Sequence, residues 1–170
     1  MEPEDYKDGL TPEYLREILK YDPETGSFTW RKKTAQCVKI GAAAGSFDAQ
    51  GYHLIGIRGR YYKAHRLAWL YMTGEWPPLI DHIDGIKNNN RFDNLRPCTK
   101  KQNVWYRGLF PNNTSGFKGV TYHKRLKKWQ AYITANKVRM HLGTFDAPEA
   151  AHQAYCVAAA KYHGDFAKTN

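Results

Sequence analysis

A segment rich in turn-forming residues divides this chain into two parts, each of which must form its own core. Residues 108–116 read Gly-Leu-Phe-Pro-Asn-Asn-Thr-Ser-Gly. Glycine, proline and asparagine favour turns because they accept or impose backbone angles that helices and strands exclude. We therefore predict a first domain at residues 1–108, a linker at 109–116 and a second domain at 117–170.

Basic residues are concentrated after residue 30. Residues 1–30 contain eight Asp and Glu against three Lys and Arg, whereas residues 31–170 contain 23 Lys and Arg against eight Asp and Glu. Between Asp93 and Asp146 there are eleven basic residues and no carboxylate. Such a surface attracts polyanions and releases their counterions on contact, so the charge distribution favours nucleic acid as the partner.

Composition excludes several other classes of protein. No apolar run approaches the ~18 residues of a membrane span, so we expect no membrane partner. The acidic, polar N-terminus differs from a secretory leader, and we expect a cytoplasmic location, the host cytoplasm if a phage encodes the chain. The cysteines, Cys37, Cys98 and Cys156, form no CxxC pair, so neither a disulfide framework nor a structural zinc site is expected.

The pattern of apolar and turn-forming residues predicts an α+β fold. In the first part, Thr11 caps a helix over Leu10–Lys20, with Pro12 at its first position. The remaining elements predicted there are a strand at Ser27–Trp30, short strands between Ile40 and Tyr62 with a hairpin turn at Arg58-Gly59, a helix from Ala64 to Thr73 ending at Gly74, a strand at Leu79–Ile83, a loop at Lys87–Asn94, and a helix capped by Thr99 with Gln102.

The second part reads as three strands and a helix. The strands are predicted at Lys118–Tyr122, Trp129–Thr134 and Arg139–Phe145. An Asp146-x-x-Glu149 capping box predicts the start of the helix, which extends to near Gly164. Its apolar stripe is mostly alanine, so a sheet can pack closely against it.

Asp81 and His82 are adjacent at a strand end, where neighbouring side chains point to opposite faces. A helix about twenty residues later returns Asn103 to the same region. Carboxylate and amide oxygens suit Mg²⁺ or Mn²⁺, and a histidine with a pKa near neutrality can take a proton from water. These groups suffice for phosphodiester hydrolysis. An Asp-His pair is also a common structural feature, and the basic stretch that begins nearby favours the catalytic alternative.

Residues 81–103 resemble the HNH motif of phage and intron-encoded homing endonucleases. The motif is carried by Asp81-His82-Ile83-Asp84-Gly85, Asn88-Asn89-Asn90-Arg91, Asn94-Leu95-Arg96 and Asn103, with His65-Arg66-Leu67-Ala68-Trp69 and Tyr21-Asp22-Pro23-Glu24-Thr25-Gly26 before it. The resemblance implies a ββα-metal finger at about 79–107. In it His82 is the general base, Asp81 and Asn103 hold one divalent ion, and Asn94 ties the loop together and keeps His82 oriented.

One position departs from the wider family, which often has histidine where this chain has Asn103. Asparagine is usual there in the phage homing branch, so we interpret it as a marker of that branch, with a weakened site as the alternative. Asp84 is either an additional metal ligand or, more simply, a turn former before Gly85.

The second part resembles an AP2 DNA-binding domain. The resemblance is carried by Ser115-Gly116-Phe117-Lys118-Gly119-Val120, Lys128-Trp129-Gln130-Ala131-Tyr132-Ile133 and His141-Leu142-Gly143-Thr144-Phe145-Asp146. It implies a three-stranded antiparallel sheet that lies in the major groove. The predicted DNA-binding residues are Lys118, Thr121, His123, Lys124, Arg125, Lys127, Lys128, Tyr132, Thr134, Arg139 and His141. Several of these differ from the plant members, so the plant target sequence does not carry over.

The sequence therefore predicts an HNH DNA endonuclease whose AP2 domain binds double-stranded DNA, with one Mg²⁺ or Mn²⁺ per active site. The resemblance implies products with 5′-phosphate and 3′-hydroxyl ends, and a single metal finger favours nicking. Monomer and homodimer stay open. A non-catalytic DNA-binding regulator with a decayed nuclease domain is the main alternative, and a packaging protein is a weaker one. The basic residues Lys124–Lys128 are either phosphate contacts or a solvated turn.

Overall fold

The computed structural model describes residues 9–76, 78–106, 108–109 and 112–169, arranged in two compact units, the first ending at Thr99 and the second beginning at Lys100. The first unit contains α1 (Pro12–Ile18), β1 (Leu19–Asp22), β2 (Ser27–Trp30), β3 (Ser46–Phe47), β4 (His53–Ile57), β5 (Arg60–Lys63), α2 (Ala64–Thr73), β6 (Ile80–His82) and β7 (Leu95–Pro97). The second contains α3 (Lys100–Trp105), β8 (Val120–His123), β9 (Lys128–Ala135), β10 (Val138–Phe145) and α4 (Pro148–His163). The predicted α+β class is confirmed.

The N-terminal helix begins as predicted and ends earlier. The Thr11 hydroxyl accepts a hydrogen bond from the Tyr14 amide at 3.2 Å, and Pro12 occupies the first helical turn. The prediction that the helix reaches Lys20 was wrong. The chain leaves the helix after Ile18, because Leu19–Asp22 pairs antiparallel with Ser27–Trp30. Leu19 is completely buried in this arrangement.

A three-stranded antiparallel sheet, β3-β4-β5, leads directly into α2. Arg58 and Gly59 have φ of 51° and 78°, the left-handed values that a two-residue hairpin turn requires. Helix α2 ends at Gly74, whose φ is 79° and whose amide donates to the Leu70 carbonyl. Its buried face packs with residues of α1, β2 and β4 in one apolar core. These turn and helix predictions are confirmed.

Strand β6 pairs antiparallel with β7, which places Asp81 opposite Arg96 and His82 opposite Leu95. The residue pattern alone did not predict β7, although the ββα-metal finger implied by the resemblance contains a second strand. Its three residues end at Pro97, and neither its length nor its composition distinguishes it from the preceding loop. The pairing with β6 alone makes it a strand.

In the second unit the order β8-β9-β10 is antiparallel throughout, and α4 covers one face. Ala151 and Ala158 of the predicted alanine stripe are buried in this contact, and Ala159, outside that stripe, is buried as well. The capping box at Asp146 was wrong: Ala147 is the N-cap, without a side-chain bond. A residue before proline is held in the extended region, so Ala147 precedes Pro148 as the cap and Asp146 lies outside the helix.

Helix α3 follows Thr99 as predicted and belongs to the second unit. Trp105 stacks on His163 with ring centroids 4.3 Å apart, and Lys101 donates to the Asn136 side chain. The unit boundary thus lies upstream of the predicted linker, whose residues 110 and 111 lie outside the described residues, as do residues 1–8 of the acidic N-terminus and residue 170. The domain bounds stay a prediction. In the part of the chain that the structure describes, no helix combines the length and the hydropathy of a membrane span.

Candidate active site and nucleic-acid interface

The buried polar side chains of the first unit gather around the end of β6. Within the described residues of that unit they are His65, Asp81, His82, Asn90 and Asn94, each at most 8% exposed. Burying such groups costs free energy unless they are hydrogen-bonded or paired, so an arrangement that collects them at one place needs a compensating network. The contacts of each residue show what that network is.

His82 is held through one of its two ring nitrogens. Nε2 lies 3.1 Å from Oδ1 of Asn90, and the His65 ring packs edge-on at 4.8 Å between centroids. Because an amide oxygen only accepts, this contact places the proton on Nε2 and leaves Nδ1 as the basic nitrogen. The sequence analysis selected His82 and did not assign this role to Asn90.

Asp81 is paired across the two strands with Arg96. Its Oδ2 accepts from Nη2 at 2.9 Å and from Nε at 3.1 Å, and the Asp81 and Arg96 side chains are only 9% and 15% exposed. The strand register that sets Asp81 opposite Arg96 makes this pair. Both of these hydrogen bonds are accepted by Oδ2, so Oδ1 is the carboxylate oxygen available to a further ligand.

Asn94 ties together the two ends of the loop between β6 and β7. Its Oδ1 accepts from the Asp84 amide at 3.0 Å, and its Nδ2 donates to the Asp84 carboxylate at 3.0 Å and to the Asn89 carbonyl at 2.8 Å. Asp84 also accepts from the Ile86 amide and from Asn89, which is the turn-forming role. The side-chain contact to His82 comes from Asn90, four residues earlier.

His65 is a buried structural histidine beside the site. Burial first, and then the proximity of His82, lowers the pKa of His65 to about 3. A neutral His65 can pack against the His82 ring without charge repulsion.

The free energy of unfolding is therefore expected to fall as the pH is lowered from 7 to 5. In the unfolded chain His65 takes up a proton near pH 6.5, whereas in the folded chain it stays neutral to about pH 3, so protons bind the unfolded state first. The contribution lost at pH 5 is about 2 kcal/mol. Chemical denaturation at both pH values should give a larger loss for the wild type than for His65→Gln. Equal losses would contradict this assignment, since the other histidines are common to both proteins.

Each of the two predicted metal ligands, taken by itself, carries an oxygen donor of the kind that a hard divalent cation prefers, and the two lie in different units. Asp81 offers an ionised carboxylate with one oxygen engaged by Arg96, and Asn103 offers an amide oxygen from an exposed position on α3 in the second unit. Mg²⁺ is commonly held by one or two carboxylates together with water and substrate phosphates. Among the described residues, no group of three or more His, Cys, Asp and Glu side chains is placed to hold a metal.

A second candidate surface is the face of the β8-β9-β10 sheet opposite α4. Alternation along the strands turns Val120, Ala131 and Ile133 toward α4, and the intervening residues the other way. The predicted DNA-binding residues that share the outer face are Thr121, His123, Lys128, Tyr132, Thr134, Arg139 and His141. The structure thus brings seven predicted residues onto one surface.

Polar and aromatic contacts connect the middle of this face. The Arg139 guanidinium lies 4.1 Å from the centre of the Tyr132 ring, which contacts the His141 ring at 5.1 Å. The Tyr132 hydroxyl donates to Gln130, whose Nε2 lies 3.5 Å from the Thr144 hydroxyl. The sequence analysis missed Gln130, although its alternation with Lys128 and Tyr132 on β9 was the available signal.

Four predicted residues lie away from the middle of this face. Lys124, Arg125 and Lys127 form the exposed turn between β8 and β9, with Lys127 at φ 51°. Lys118 is half-buried, and its Nζ donates to the Trp105 carbonyl. Burial lowers the pKa of Lys118 to about 8.

Comparison with known proteins identifies both parts. The HNH endonuclease family model matches residues 62–105, and the AP2 domain model matches residues 115–165. Protein 3.8 of Escherichia phage T7 is 33% identical over 114 residues, which are 64% of this chain and 93% of that protein. DNA endonuclease I-HmuI of Bacillus phage SP01 is 38% identical over 60 residues, 32% of this chain and 34% of its own length.

Plant proteins match the C-terminal part. The AP2-like ethylene-responsive transcription factor ANT of Arabidopsis thaliana is 37% identical over 90 residues, 52% of this chain and 15% of that protein. A solved structure of I-HmuI aligns with 91% of this chain and 90% of its own, at a TM-score of 0.44 and 20% identity. From these matches, the chain belongs to the family of phage T7 protein 3.8 and contains an HNH endonuclease region followed by an AP2 domain.

Proposed function

We propose that this chain is a metal-dependent DNA endonuclease in which His82 is the general base. The observation that carries the proposal is the buried cluster around His82, in which the contact from Nε2 to Asn90 Oδ1 leaves Nδ1 as the basic nitrogen. An imidazole with one ring nitrogen held and the other unprotonated can act as a general base toward water. Membership of the HNH family supports phosphodiester hydrolysis as the reaction.

In the proposed reaction, His82 Nδ1 accepts a proton from a water molecule whose oxygen forms a bond to the scissile phosphorus. The bond from phosphorus to the 3′ oxygen breaks, and that oxygen takes up a proton from solvent. The products are a 5′-phosphate and a 3′-hydroxyl end. Asp81 and Asn103 are the proposed ligands of one Mg²⁺ or Mn²⁺. A divalent ion supplies positive charge to the phosphate and to the leaving oxygen. Arg96 keeps Asp81 paired, and Asn94 holds the loop that follows His82.

DNA binding is assigned to the outer face of the β8-β9-β10 sheet. Its side chains include hydrogen-bonding groups and the cations of Lys128 and Arg139, and the turn beside it adds Lys124, Arg125 and Lys127. Base edges are read by such hydrogen-bonding side chains, and phosphates are held by the cations. Gln130 is added to the proposed reading residues because it shares the face and its network.

The test of the proposed function is cleavage of supercoiled plasmid with and without Mg²⁺ or Mn²⁺. Metal-dependent relaxed product, stopped by EDTA, is the expected result, and linear product would indicate cutting of both strands. Plasmid that is bound and stays supercoiled with either metal would overturn the proposal in favour of the non-catalytic DNA-binding regulator.

Removing Lys127 and Lys128 should flatten the salt dependence of DNA binding. Each lysine that contacts a phosphate releases counterions, so each alanine substitution should reduce the slope of log K against log salt by about 0.9. Affinities of Lys127→Ala and Lys128→Ala are measured across a salt series, with Lys20→Ala on β1 as the control. A slope equal to the wild-type value would mean that these lysines are solvated and contact no phosphate, with Lys128 at the start of β9 lying 3.1 Å from Asp146.

A further inference from the structure

The end of β1 and the turn that follows it, residues 21–26, contact the loop after β6 although they lie about 65 residues earlier in the chain. The Tyr21 hydroxyl donates to the Asn90 carbonyl at 2.6 Å, and the Pro23 carbonyl accepts from the Phe92 amide at 3.0 Å. Tyr21 is 4% exposed, and burial raises the pKa of its hydroxyl above the ordinary value, so that group keeps the proton it donates. The turn therefore fixes the backbone of residues 90–92.

Gly26 completes this contact by having no side chain. Its φ is 72°, and a Cβ at this position would lie 2.4 Å from the Asn90 carbonyl carbon and 2.5 Å from the Arg91 nitrogen. Both neighbours are backbone atoms, so neither can rotate away. Any other residue would push the loop off the turn and would also strain its own backbone.

Asn90 connects this turn to His82. It is 1% exposed, the least exposed of the buried polar residues, and its Oδ1 lies 3.1 Å from His82 Nε2. The backbone of Asn90 is thus held by Tyr21, and its side chain holds the imidazole. One continuous set of contacts leads from the turn to the ring nitrogen opposite the basic one.

We propose that Tyr21 and Gly26 are positioning residues that fix Asn90 and, through it, the orientation of His82. The inference rests on the proposed function of His82 and adds to it the residues that aim its Nδ1. A ring free to rotate would spend only part of its time in the productive orientation, and small misplacements of a reacting group reduce rates severely.

The test compares single-atom and isosteric variants in the full chain. Tyr21→Phe removes only the hydroxyl, and kcat for plasmid nicking should fall about five- to tenfold while KM and the DNA dissociation constant stay within about twofold. Asn90→Asp keeps an oxygen acceptor in a side chain of the same shape, whereas Asn90→Leu has no acceptor. The kcat of Asn90→Asp should therefore be at least about tenfold higher than that of Asn90→Leu. Tyr71→Phe is the control, because it removes a hydroxyl from a neighbouring ring whose centroid lies 5.8 Å from that of Tyr21.

The outcomes separate this inference from the proposed function. If the wild type and Tyr21→Phe cut DNA equally fast, the positioning role is overturned and the nuclease assignment is unaffected. A Tyr21→Phe loss matched by Tyr71→Phe, or shared equally between kcat and DNA affinity, also overturns it, since general destabilisation then explains the effect. A wild type that does not cut with any divalent metal overturns the proposed function and the positioning role with it.

Discussion

His82→Ala is expected to lower the rate of DNA cleavage by about 10³-fold and to leave DNA affinity within about twofold. General acid–base groups contribute about 10²–10⁴ to enzymatic rates, and His82 is the buried imidazole whose basic nitrogen is defined by its contact with Asn90. Single-turnover nicking rates and filter-binding affinities on the same plasmid measure the two effects separately.

A second histidine provides the control for this experiment. His53→Ala removes a half-buried imidazole from β4 in the same unit, and it should cut at close to the wild-type rate. Asn103→Ala should resemble His82→Ala if Asn103 is a metal ligand, with a raised metal concentration for half-maximal rate. Undiminished cleavage by His82→Ala would remove the general-base assignment.

Arg96→Met should destabilise the first unit by about 3–5 kcal/mol, the largest stability effect we expect. The substitution leaves the Asp81 carboxylate buried without its cation. Removing one partner of a buried ion pair destabilises a protein far more than replacing both partners does, because the remaining charge is uncompensated. Urea denaturation of the variant and the wild type measures the loss. The double variant Asp81→Asn/Arg96→Met should recover part of it, because the neutral amide no longer needs a counter-charge.

Arg91 provides a matched control in the same loop region. Its Nη2 lies 2.9 Å from Asp93, the same distance as in the buried pair, and these side chains are 50% and 68% exposed. Solvent screens such pairs, so Arg91→Met should lower the free energy of unfolding far less than Arg96→Met does. Equal losses for the two arginine variants would show that the burial of Asp81 does not govern its pairing energy.

The local signals that the sequence carries were reliable where one segment decides its own structure. The Arg58-Gly59 turn, the end of α2 at Gly74 and the alternation on β9 each follow from a few adjacent residues. The predictions failed where a distant partner or a neighbouring residue changed the outcome. Leu19 is in β1, paired with β2, and not in the helix predicted for it, and Pro148 places the N-cap of α4 at Ala147 and not at Asp146.

The sequence by itself determined the two-part organisation, the basic stretch, the antiparallel sheet with its alanine-rich helix, and the selection of Asp81, His82, Asn94 and Asn103. Only the tertiary structure assigned Arg96 to Asp81, Asn90 to His82, and Tyr21 and Gly26 to Asn90. These assignments depend on distances between residues up to 69 positions apart, which strand pairing and core packing set. No local pattern of residue types specifies which buried polar groups will meet, because the same side chains satisfy their hydrogen bonds equally well in many other pairings.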